Sequence, residues 1–198
     1  MESMGGKRVT YGFQEQLDFS QGAKCESDAE TIMSLLHGCA SVTSSAGSGN
    51  DFGIDYIATL RRGAEVMIDA KTRAAGCSKF WRSEPELAIE IWSVMPGGKF
   101  QTTHGKAGWT LDESKRTDMV LYTFNPLDSP MAYLIPFHSL RMASVRNIGH
   151  WRKSYKVDIQ ETIEGYRGWQ SQAVFVPASV VIRAMEETYS GNVNPDPF

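Results

Sequence analysis

Asp55-Tyr56-Ile57-Ala58-Thr59-Leu60-Arg61-Arg62-Gly63-Ala64-Glu65-Val66-Met67-Ile68-Asp69-Ala70-Lys71 consists of two apolar-rich runs joined by a short polar break. Such a pattern reads as a β-hairpin. Three-residue hairpin loops commonly end in a residue with positive φ, and Gly63 stands where that residue is needed. With Arg61-Arg62-Gly63 as the loop, Leu60 faces Ala64, Ala58 faces Val66, Tyr56 faces Ile68 and Ile54 faces Ala70. Every pair on that side is apolar, as a core-facing side should be. The other side pairs Thr59 with Glu65, Ile57 with Met67 and Asp55 with Asp69. A slip of one residue would mix the two sides, so the apolar pattern sets its own register.

The register has a chemical consequence. Directly opposed residues hold their Cβ atoms about 5 Å apart, so Asp55 and Asp69 become neighbours. Two carboxylates that close raise one another's pKa unless a cation lies between them. Lys71, two residues beyond Asp69, projects from the same side. A hard divalent ion such as Mg²⁺ or Mn²⁺ takes oxygen ligands, and Asp55, Asp69 and the Ala70 carbonyl supply them. Lys71 would then stabilise an attacking hydroxide or the charge on a phosphorane. Asp-x-Lys alone is a common surface tripeptide. Its specificity comes from the matched Asp55, the tight turn and an upstream acidic helix.

That helix is expected from Ser27 or Asp28, either of which can cap it. Ala29, Ile32, Met33, Leu35 and Leu36 form its apolar face, and Gly38 ends it. Together, Gly53-Ile54-Asp55-Tyr56, Ile68-Asp69-Ala70-Lys71 and the helix from Asp28 to Leu36 resemble the PD-(D/E)xK nuclease superfamily. The resemblance covers roughly residues 26–137. It implies a restriction-endonuclease-like α/β fold, a central mixed β-sheet flanked by helices, and Mg²⁺- or Mn²⁺-dependent cleavage of DNA, with an RNA-directed nuclease and a non-catalytic nucleic-acid-binding or interaction protein on the same fold as the alternatives. The family's first Asp, its tripeptide acid and its Lys map onto Asp55, Asp69 and Lys71. Many members add a helix Glu as a metal ligand, which implies Glu30 here with Glu26 in reserve. Ile54 stands where the family name has Pro, and Asp51 is a rival for the first ligand. A chain this small also resembles the accessory nucleases carried by phages or mobile elements.

The rest of the chain fits one domain. Its 198 residues are 41% apolar and 22% charged, which matches a globular composition rather than a disordered one. A net charge of −3 argues against a protein that coats nucleic acid through bulk charge, while leaving local basic patches open. No apolar run approaches the roughly 20 residues that span a bilayer. The N-terminus lacks the apolar core of a secretory signal, so cytoplasmic residence is expected. Cys25, Cys39 and Cys77 show neither disulfide nor zinc spacing and read as free thiols.

Residues 1–25 read as an arm, 26–137 as the nuclease core, 138–190 as a C-terminal extension and 191–198 as a flexible tail. Within these, Val120–Phe124 and Tyr133–Phe137 read as short strands, and Leu87–Met95 as strand or helix. Residues 96–116 read as a long loop. A helix is expected from His138 or Ser139, a strand over Ala173–Val176 and a helix over Ala178–Tyr189. Two acid-free stretches are the nucleic-acid candidates. Arg73, Lys79 and Arg82 directly follow the proposed site. Arg146, Arg152, Lys153 and Lys156 are interleaved with Trp151 and Tyr155, whose rings either stack on bases or belong to the core. Glu90 reads as a solvent-facing strand position or as an acid supporting the site. The oligomeric state stays open, a dimer included.

Overall fold

The computed structural model describes residues 10–12, 26–45, 52–73, 83–124, 131–164 and 167–189. In chain order the elements are β1 (Thr10–Gly12), α1 (Glu26–Leu35), β2 (Cys39–Ser44), β3 (Tyr56–Leu60), β4 (Glu65–Arg73) and β5 (Glu86–Val94). There follow β6 (Lys106–Ala107), β7 (Met119–Phe124), β8 (Met131–Pro136), α2 (Phe137–Ser154), β9 (Lys156–Glu164), β10 (Arg167–Pro177) and α3 (Ala178–Tyr189). The chain is therefore mixed α/β. The expectation of one central sheet is corrected: the strands form two five-stranded sheets, ordered β2-β3-β4-β7-β8 and β1-β9-β10-β5-β6.

The β3–β4 hairpin has the register its apolar pattern demands. Tyr56 pairs with Ile68, Ile57 with Met67, Ala58 with Val66 and Thr59 with Glu65. Gly63 takes φ +81° and its N–H donates to the Leu60 carbonyl at 2.8 Å. A side chain at that φ would be strained, which is why glycine closes the loop.

β4 then runs parallel to β7, placing Asp69 beside Val120, Lys71 beside Tyr122 and Arg73 beside Phe124. Because side chains alternate, β4 presents two different faces. Ile68 and Ala70 join Ile32, Tyr56, Ala58 and Leu121 in a core under α1. Asp69, Lys71 and Arg73 share the face of Val120, Tyr122 and Phe124, which belong to a second, larger core. The two sheets are tied together there, since the Ala88 N–H of β5 donates to the Tyr122 hydroxyl at 2.8 Å.

In α1 only part of the expected apolar stripe is used. Ile32 is fully buried and Leu36 packs against the smaller core, whereas Met33 and Leu35 are exposed. Ile32 has Asp28 one turn before it on the same helix face, and Glu30 roughly opposite.

Residues 138–190 contribute Leu140, Ala143, Trp151, Val174, Val176, Val181 and Ala184 to the same core as Leu87 and Ile89. Ambiguous Leu87–Met95 is strand β5, which pairs with β10. Long strands β9 and β10, absent from the sequence reading apart from Ala173–Val176, form an antiparallel hairpin. Among the described residues, no helix is long and apolar enough to cross a membrane.

Candidate active site

The hairpin brings Asp55 and Asp69 together. The Ala70 N–H donates to Asp55 Oδ2 at 2.9 Å, and the Asp55 N–H donates to the Ile68 carbonyl at 2.8 Å. The paired register ends at Tyr56–Ile68, so the expected Ile54–Ala70 and Asp55–Asp69 strand pairs do not form; instead these two bonds hold the Asp55 carboxylate against the strand that carries Asp69. Asp55 lies within hydrogen-bonding reach of Asp69. Lys71 Nζ donates to Asp69 Oδ1 at 2.7 Å. The same ammonium sits 5.2 Å from the centroid of the Trp109 ring, a cation–π distance.

Asp69 is 3% exposed. Burial pushes its carboxyl up to about 6; Lys71 opposes that shift by charge and hydrogen bond, and Asp55 reinforces it. The side that a lone hairpin would expose to water is thus covered by the second sheet. Two neighbouring carboxylates there lie beside one ammonium, which donates to Asp69, and an aromatic ring.

Trp109 is positioned by a close approach of backbones. A Cβ on Gly108 would collide with the Glu90 carbonyl oxygen, so only glycine lets this turn lie on β5. The Gly108 N–H donates to the Ile91 carbonyl at 2.9 Å and the Trp109 N–H to Glu90 Oε2 at 2.9 Å. Glu90 Oε2 also accepts from the Ser93 hydroxyl at 2.7 Å. Glu90 is half-buried and supports the turn, so the reading of it as a solvent-facing position does not hold.

Glu30 is not brought to the aspartate pair. It is exposed on α1, and among the described residues no group of three or more His, Cys, Asp or Glu could hold a metal ion. The acid that α1 turns inward is Asp28, 4% exposed, whose Oδ2 accepts from the Tyr56 hydroxyl at 3.2 Å. The signal was present: Asp28 precedes Ile32 by four residues and shares its face. Glu26 belongs to the first turn of α1. Asp51 lies outside the described residues.

The basic candidates divide. Arg73 sits on the site's own face of β4 with its guanidinium carbon 4.7 Å from the Phe175 ring centroid, and Lys156 Nζ is 5.4 Å from the same centroid. Arg146, Arg152 and Lys153 are exposed on α2, away from any aromatic partner among the described residues. Trp151 is 1% exposed and lies in the larger core, with Tyr155 packed against it, so Trp151 is not a stacking surface. Lys79 and Arg82 lie outside the described residues.

Comparison with protein-family models, with curated proteins and with solved structures finds no match.

Proposed function

We propose that this chain is a divalent-metal-dependent nuclease that hydrolyses phosphodiester bonds in DNA. The observation that carries the reading is the convergence of Asp55, Asp69 and Lys71 on one face of a hairpin whose register its own apolar pattern demands. The donor set suits a hard cation. Asp69 is buried and that burial pushes its carboxyl up to about 6, so a cation placed there would favour the ionised form that burial disfavours. Asp55 and Asp69 would hold the ion, with the Ala70 carbonyl as a third oxygen. When bound, it would supply Lewis acidity to a phosphate oxygen and lower the pKa of an attacking water.

The protein's own residues do the rest. The Ala70 N–H fixes the Asp55 carboxylate. Trp109 and Asp69 fix the Lys71 ammonium from two directions, leaving it aimed where charge builds on a phosphorane or on the nucleophile. The second sheet shields this chemistry from bulk water, which strengthens each charge interaction. Asp28, through Tyr56, acts as a positioning residue beneath β3.

The test is digestion of single-stranded DNA, duplex DNA and RNA by the full chain with Mg²⁺ or Mn²⁺. DNA should be cut, and Asp69→Ala or Lys71→Ala should lower the rate by about 10²-fold or more. If no DNA form is cut, or both variants cut as well as wild type, the reading fails. Cleavage of RNA alone would move the assignment to an RNA-directed nuclease.

A further inference from the structure

A cleft of about 140 Å³ opens beside Lys71, between the end of β4 and the second sheet. Its floor is one face of that sheet. Ala173 pairs with both Asp158 and Glu90, and Ser171 pairs with Gln160, so these side chains lie in adjacent rows. Its walls include Arg73, Trp109 and Phe175. A cavity of about 150 Å³ holds a benzene-sized ring, so the space suits one planar heterocycle rather than a folded peptide or a stacked base pair.

The chemistry of the lining is that of a base reader. Trp109, which stacks on Phe137 and meets Lys71, and Phe175, which meets Arg73 and Lys156, line the cleft with aromatic and cationic groups of the kind that bind bases without regard to sequence. Small Ala88 and Ala173 leave the floor open. Arg73 Nε is buried and has no acceptor among the described residues. A buried donor in that state is costly and calls for a ligand acceptor. Glu90 uses only Oε2 for its two bonds, and Asp158 makes no hydrogen bond or ion pair among the described residues. Ionised carboxylates only accept, so their natural complement is an exocyclic amino group, which cytosine carries and thymine lacks. Lys71 and Arg73 are two residues apart on one face, about 7 Å, a distance that one nucleotide spans.

We infer that this cleft receives a single unpaired nucleobase of the strand being cut, next to the phosphodiester held at Asp55, Asp69 and Lys71, with an amino-bearing base preferred over thymine. The inference rests on the nuclease reading for the neighbouring phosphate. A base in a continuous duplex is stacked and paired, and removing it costs free energy. Single strands, frayed ends and unpaired junctions are therefore the substrate class.

Two readouts test it, one independent of cleavage. In the first, full-length protein is titrated with dCMP, dTMP and deoxyribose 5-phosphate while tryptophan fluorescence is followed. dCMP should quench with roughly millimolar affinity or better, dTMP should bind about fivefold more weakly, and the base-free sugar phosphate should give no quench. Trp109→Phe should remove the response. Ala173→Phe should abolish it by filling the floor. Gln160→Ala, on an exposed strand position where folding is not at risk, should weaken it about fivefold. No quench by any nucleotide, an equal response to the sugar phosphate, or an unchanged response in Ala173→Phe and Gln160→Ala overturns the inference. In the second readout, single-stranded DNA should be cut about tenfold faster than the same strand in a continuous duplex, and Ala173→Phe should shrink that ratio toward one. Equal wild-type rates overturn the inference while leaving the nuclease reading intact. A dCMP response without any DNA cleavage overturns the nuclease reading and leaves the base cleft standing.

Discussion

Replacing Asp69 by Asn should stabilise the metal-free protein at neutral pH and remove most of its pH dependence near pH 6. The sign follows from the direction of the shift. Asp69 is pushed from 3.8 in an ordinary chain to about 6 in the fold. Between those values the folded state binds a proton that the unfolded state has lost. The contribution is fully present below about 3.8 and is lost as pH rises through about 6. A difference of about two pH units corresponds to about 3 kcal/mol at pH 7.5, and the near-complete burial of Asp69 means little solvent screening reduces it. For a chain of this length, that is a melting-temperature difference of roughly 6–12 °C. Asn keeps the shape, carries no charge, and leaves half-buried Lys71 free to turn toward water. The assay is thermal or urea unfolding of wild type and Asp69→Asn in EDTA at pH 5 and pH 7.5. Wild type should lose stability relative to the variant as pH rises, and added Mn²⁺ should restore it to wild type alone. If wild type is as stable relative to the variant at pH 7.5 as at pH 5, the account of an Asp69 carboxylate strained by burial is wrong.

Two other substitutions probe the supports of the site. Tyr56→Phe removes one hydrogen bond to the buried Asp28 carboxylate and should cost the fold about 1 kcal/mol in a urea melt. Gly108→Ala drives a Cβ into the Glu90 carbonyl and should destabilise by about 2–3 kcal/mol, with a changed Trp109 fluorescence spectrum; an unchanged midpoint and spectrum would contradict the close approach described here.

What the chain disclosed in advance was local. The β3–β4 register followed from alternation on two short runs and from one glycine, because a hairpin's partners are set by its turn. That register predicts Asp55 opposite Asp69, but the strand pairing ends at Tyr56–Ile68, and it is the Ala70 N–H that holds the Asp55 carboxylate beside Asp69. The second sheet was not legible, because its pairings are distant in sequence: β5 with β10, and β1 with β9. Without it, the aspartate face looked solvated, and the burial of Asp69 could not be foreseen. Lys156–Glu164 does alternate, with Val157 and Ile159 against Lys156, Asp158 and Gln160, but only Lys156 enters the sequence reading, as the end of a basic stretch. Similarly, Glu30 was favoured by family resemblance, whereas the helical spacing from Ile32 points to Asp28. Trp109 gave no local signal, since only the folding of its loop onto β5 carries it to Lys71. Trp151 was undecided between stacking and packing, and its place in the larger core decides for packing.

The central claim is that Asp55 and Asp69 share one divalent cation. Calorimetric titration of the metal-free protein with Mn²⁺ at pH 7.5 tests it most directly, using wild type, Asp55→Asn and Asp69→Asn. Wild type should bind Mn²⁺ with at least one site per chain that both variants lose, each weakening it by tenfold or more. Equal Mn²⁺ binding by all three proteins would contradict it.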